Sequence, residues 1–97
     1  MYELRFLKPA ENYFKKIREK GLRRAYRTAQ ERLSADPYIG ESKSGDLAGI
    51  YCYDVYYDGT NYEIAYRIYE EEGKIVVIIL AGTRENFYRE LKRYMRG

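Results

Sequence analysis

Arg84 and Tyr88 are the two side chains best placed to do chemistry. They stand just past Ile75–Ala81, an unbroken apolar run that Gly82 and Thr83 interrupt. A charged and a hydroxyl group delivered together beyond the end of a buried strand can converge on one ligand. Two preceding segments alternate with period two. In the first, Tyr51, Tyr53, Val55 and Tyr57 share one side, while Cys52, Asp54 and Tyr56 share the other. In the second, Tyr62, Ile64, Tyr66 and Ile68 oppose Glu63, Ala65, Arg67 and Tyr69. Each strand therefore has an aromatic-apolar face and a mixed, polar one. Histidine is absent and Cys52 is the sole cysteine, so a thiol nucleophile would have no imidazole to deprotonate it, and the expectation for Cys52 is an inert thiol, buried or half-buried.

The elements that position these residues follow from periodicity. Tyr2 to Leu7 alternates as a half-buried strand does. Ala10, Tyr13, Phe14 and Ile17 mark an amphipathic helix that begins near Pro9 and is expected to stop at Gly21. Leu22, Ala25, Tyr26, Ala29 and Leu33 mark a second helix to about Ala35, closed by the Asp36-Pro37 step. Residues 38–46 are small and polar and read as a surface loop. Asp58-Gly59-Thr60-Asn61 supplies the turn between two strands. The apolar run from Ile75 belongs in the middle of a sheet with both faces covered. Phe87, Leu91, Tyr94 and Met95 give a C-terminal helix with a basic outer surface. The predicted fold class is α+β: an N-terminal strand, an αα-hairpin, a three-stranded antiparallel meander and a C-terminal helix, forming one sheet packed against helices.

Ninety-seven residues, 45% hydrophobic and 34% charged, suit one domain over 1–97 with a modest core, and exclude disorder. No apolar run reaches the roughly 20 residues that span a bilayer, nor does the N-terminus read as a secretory signal; the expected location is the cytoplasm. The net charge of +3 hides segregation, since residues 1–33 and 74–97 are basic and residues 34–73 acidic. Basic ends of this kind suit a phosphate-rich or acidic partner, or else solvated helix faces.

The order of these elements, with DLAGIYCY, YEIAYRI and IILAGTRENFY in succession, resembles the RelE/ParE toxin superfamily of toxin–antitoxin modules over almost the whole chain. The resemblance implies a ribosome-dependent endonuclease that cuts mRNA in the A site through attack of a 2′-hydroxyl on the adjacent phosphate. It implies a cognate antitoxin as a partner besides the ribosome and its message, and neither metal nor small-molecule cofactor nor membrane.

On this resemblance Arg84 takes the place of an arginine that stabilises charge on the phosphate, for which a forked guanidinium is suited. Tyr88 takes that of a tyrosine that stacks on a base or orients a proton transfer. The polar strand face departs from the pattern, since Asp54, Tyr56 and Glu63 stand where lysines and an arginine are common. Glu63 is the first choice for a carboxylate base, with Asp54 in reserve, and Arg67 is a second phosphate contact. Glu41, Lys43 and Tyr56 complete the substrate-binding set. Solvation of an exposed sheet face is the alternative for the carboxylates. Two other functions stay open: a non-enzymatic inhibitor of DNA gyrase, and an inactive relative that only binds antitoxin.

Overall fold

The computed structural model describes every residue except Glu72, Asn86 and Gly97. The order is β1 (Glu3–Phe6), α1 (Lys8–Lys16), α2 (Lys20–Ala35), β2 (Glu41–Ser42), β3 (Tyr51–Tyr57), β4 (Thr60–Tyr69), β5 (Ile75–Thr83) and α3 (Phe87–Met95). The strands form one sheet in the order β1-β5-β4-β3-β2, with β1 parallel to β5 and the other pairs antiparallel. The expected α+β architecture is present. β4 holds the middle position, however, and β5 lies one strand from it, between β1 and β4.

The sheet separates two cores, because successive side chains leave a strand on opposite faces. Val55, Ile64, Tyr66, Val76 and Ile78 pack against α1 and α2 through Ala10, Tyr26, Ala29 and Leu33. Cys52, Ala65, Ile79 and Leu80 pack against Phe87 and Leu91 of α3. Ile79 and Leu80 are adjacent yet belong to the same core. The register explains this: Ala65 pairs with Leu80 but Tyr66 pairs with Ile78, leaving an extra residue on β5. Such a bulge resets the alternation, so Ala81 returns to the first core.

Two expectations are corrected. Gly21 does not stop the first helix. Helix α1 ends at Lys16, Ile17 and Glu19 are extended, and Gly21 lies in the first turn of α2. The break is set by packing: Ile17 is buried in the first core, and its carbonyl accepts from Arg23 Nε at 2.7 Å. Gly21 instead leaves room for the ring of Tyr57. The second correction concerns residues 38–46, which are not all loop, because Glu41 and Ser42 pair with Cys52 and Tyr51. That pairing uses main chain alone and leaves no side-chain pattern.

The hairpin between β3 and β4 turns at Asp58 and Gly59 alone, both with positive φ, while Thr60 and Asn61, expected in the turn, already pair with Tyr57 and Tyr56 as part of β4. Tyrosines fill much of the first core. Tyr26 and Tyr66 are buried, with Tyr13 and Tyr26 hydroxyls 2.8 Å apart and Tyr66 donating to the Pro37 carbonyl at 2.6 Å. Burial raises the phenol pKa of both. No described helix is long and apolar enough to cross a membrane.

Candidate active site

Arg84 is the first residue beyond β5, and its main chain is held on both sides. Its N–H donates to the Asn61 carbonyl at 3.1 Å, and its carbonyl accepts from Phe87 N at 3.2 Å as α3 begins. Phe87 is buried and anchors that first turn, which sets Tyr88 over the sheet. Beneath Tyr88 lies Glu63 on the central strand, paired with Asp54 on β3 and with Gly82 on β5. Glycine at that position places no side chain between Glu63 and α3.

Glu63 is the one charged residue buried among those described, at 2% exposure. The Tyr88 hydroxyl donates to its Oε1 at 2.7 Å, and Arg84 Nε stands 3.9 Å from its Oε2. At that distance Arg84 supplies charge but no hydrogen bond. Glu63 Oε2 is thus without a hydrogen-bond partner among the described residues, as is Asn61 Oδ1 two positions earlier on the same strand. A buried carboxylate oxygen left without a hydrogen bond is costly to stability. The burial of Glu63 is what the sequence does not show, since a glutamate on a polar strand face reads equally as solvated.

Glu63, Tyr88 and Arg84 line a cleft of about 320 Å³, closed by Glu41, Cys52 and Asp54. Lys43 borders it, with its Nζ 5.0 Å from the centre of the Tyr88 ring and in an ion pair with Glu41. That hydrogen bond raises the Lys43 pKa and lowers that of Glu41. Burial, then the bond to Glu63, pushes the Tyr88 phenol up to about 12, so it keeps its proton at neutral pH. Burial likewise pushes the Cys52 thiol up to about 11, which suppresses thiolate formation.

The cleft therefore gathers Arg84, Tyr88, Glu63, Asp54 and Glu41, with Lys43 at its margin. Arg67 stands apart from the cleft. It lies on the same sheet face as Glu63, but four residues along β4 and opposite Val77, where it lines a separate groove beside α3. A shared face is no guarantee of a shared site when α3 divides that face. Tyr56 is also outside the cleft, exposed on the edge strand β3, where it borders a trough between that strand and α2. Among the described residues, no three histidine, cysteine, aspartate or glutamate side chains are grouped to hold a metal ion.

Comparison with known proteins gives three kinds of result. A family model described as the ParE-like toxin of the type II bacterial toxin–antitoxin system matches residues 4–92. Among solved structures, the chain is similar to one in the RelBE2 toxin–antitoxin complex from Mycobacterium tuberculosis, at 30% identity and a TM-score of 0.66, over 86% of this chain and 98% of that one. A free variant of the E. coli toxin RelE with two arginines replaced by alanine is 19% identical with a TM-score of 0.73, over 98% and 96% of the two chains. A chain of the intact E. coli RelBE complex is 19% identical with a TM-score of 0.64, over 84% and 95%. No curated protein sequence matches.

Proposed function

We propose that this chain, which belongs to the ParE-like toxin family of type II bacterial toxin–antitoxin systems, is a metal-independent endoribonuclease that cuts mRNA in the ribosomal A site. The observation that carries this reading is the Glu63 carboxylate held between the Tyr88 hydroxyl at 2.7 Å and the Arg84 guanidinium at 3.9 Å in one cleft. Arg84 is largely exposed and free to turn its donors onto two non-bridging oxygens of a phosphate. The substrate 2′-oxygen attacks phosphorus, and its proton passes to the Tyr88 oxygen while Tyr88 passes its own to Glu63. Glu63 is too buried to meet the substrate itself, so Tyr88 is the contacting atom. The bond from phosphorus to the 5′-oxygen breaks, that oxygen takes a proton from water, the hydroxide so formed is neutralised by the proton that Glu63 gives back through Tyr88, and a 2′,3′-cyclic phosphate and a 5′-hydroxyl remain. Arg84 neutralises charge as the phosphorus centre becomes five-coordinate.

Basic side chains at both ends of the chain support attachment to ribosomal RNA in the cytoplasm, with a steep salt dependence. A cognate antitoxin is the inhibitory partner. The groove beside α3, about 1590 Å³ with Leu7, Ile75, Val77 and Leu80 in its floor and Arg5 and Arg93 at its margin, suits an amphipathic segment laid across the sheet.

One observation favours a second reading. The cleft holds the carboxylates of Glu41, Asp54 and Glu63 against Arg84 and a Lys43 already engaged by Glu41. A site so rich in negative charge suits a non-enzymatic inhibitor of DNA gyrase, which needs no phosphate contact there. Mapping message ends after induction in cells, and on purified translating ribosomes, decides between them. The nuclease gives new 5′-hydroxyl ends within codons at the A site, lost in Arg84→Ala. Intact messages together with gyrase inhibition would overturn the nuclease reading.

A further inference from the structure

The second strand edge of the sheet is mostly bare. β2 covers β3 only at Tyr51 and Cys52, so β3 runs on without a neighbour from Tyr53 to Tyr57. Between that edge and α2 lies a trough of about 560 Å³, lined by Arg24, Thr28 and Arg32 of α2 and by Tyr53 and Val55 of β3, with Asp54 and Tyr56 at its rim on the cleft side of the strand. Tyr53 and Asp54 also line the cleft. The two concavities therefore meet at these residues, and a strand leaving Arg84 has a path over the sheet edge onto α2.

We propose that this trough is the track for the nucleotides that flank the scissile phosphate, an inference that rests on the RNA reading above. The cleft is acidic, so a polyanion needs its counter-charge from beside the cleft. Arg24 and Arg32 supply it, being exposed and without an ionic partner among the described residues. Arg32 Nη1 also donates to the Tyr53 hydroxyl at 3.4 Å, which holds it over the trough. Tyr56 is 72% exposed, so packing does not explain its ring. Aromatic platforms interleaved with cations bind single-stranded nucleic acid through stacking and phosphate contacts, whatever the base. A peptide added to the bare edge would use the main chain, and would leave both the exposed ring and the junction with the cleft without a purpose.

The test uses the full chain and 2′-O-methyl RNA, which cannot be cut because its 2′-oxygen carries no proton. A trinucleotide fills the cleft; a longer oligonucleotide also reaches the trough and binds more tightly. Arg24→Ala/Arg32→Ala abolishes this gain with length and lowers the slope of log affinity against log salt by about 1.4, the loss of two single-strand phosphate contacts. Tyr56→Ala weakens the longer oligonucleotide by roughly 5- to 100-fold while Tyr56→Phe binds as the parent does. All three positions are exposed, and unchanged melting temperatures establish that the variants fold. A length gain that survives both sets of substitutions overturns the track. So does a double variant that keeps RNA but loses a poly-glutamate peptide, which makes the edge a peptide site. Message cleavage by the parent, scored in parallel, separates the ideas: parental cleavage with indifferent trough variants sinks the track alone, and a parent that neither cuts messages nor binds the oligonucleotide sinks both.

Discussion

The Tyr88 hydroxyl, from the first turn of α3, donates to Oε1 of Glu63 on the central strand at 2.7 Å, across 25 residues of sequence. This bond ties the last helix to the sheet at the one place where a carboxylate is buried among the described residues, and it makes the phenol and the acid one unit. Pairs that act as a unit are not additive.

The first prediction follows from that coupling. Glu63→Gln still accepts the Tyr88 hydrogen bond but cannot take its proton, and Tyr88→Phe removes the relay from the other end. Each is expected to lower the rate of message cleavage by about 10²- to 10⁴-fold, the range for a lost general base. The double variant should be no slower than the worse single one. Single-turnover cleavage on translating ribosomes measures all three, and multiplied losses in the double variant would rule out a relay.

Arg84 is expected to act by charge and by geometry. Arg84→Ala should cost about 10²- to 10³-fold in cleavage, as removal of one preorganised donor does. Arg84→Lys keeps the charge without the fork and should recover only part of the loss. Because the Arg84 side chain is 63% exposed, neither change should move the melting temperature much. A large drop in melting temperature would assign Arg84 to structure instead.

Alkaline pH should unfold the protein through its tyrosines. Burial raises the pKa of Tyr26 and of Tyr66 above the ordinary 10.0, so the stability they contribute as neutral phenols is complete below about pH 10. It is lost as pH climbs through their folded values. Tyr88 adds to the same decline between pH 10.0 and about 12. Denaturant melts at rising pH should be level up to about pH 9 and then fall, with a cooperative step in tyrosinate absorbance at the same point. Gradual, non-cooperative ionisation with unchanged stability would contradict this.

Gly40→Ala should destabilise although Gly40 has an ordinary φ of −77°. A Cβ there would meet the Tyr66 hydroxyl and stand 3.0 Å from the Cys52 carbonyl oxygen. Tyr66 is fully buried and bonded to Pro37, so it cannot swing aside. The expected loss is about 1–3 kcal/mol, typical of an overpacked core, and equilibrium unfolding measures it. A neutral or stabilising result would mean that the segment before β2 shifts freely.

Much of this molecule was legible one residue at a time. Period-two alternation assigned Cys52, Asp54 and Tyr56 to one face of β3, and Glu63, Ala65 and Arg67 to one face of β4. The spacing of Leu22, Tyr26, Ala29 and Leu33 marked the buried side of α2, and Arg84 and Tyr88 were evident from their place after the apolar run. Each is a local property, because the side chains of a strand or helix point where the backbone period sends them. Three other features depended on partners distant in sequence. Helix α1 ended short of Gly21 because Ile17 is drawn into the core, and β2 exists only through main-chain pairing with β3. Whether Glu63 met water or a phenol was decided by α3 folding back over the sheet. The pattern of residues thus determined which face each group occupies, and long-range packing determined which of those groups touch, since burial and distance belong to pairs of elements that the chain brings together only on folding.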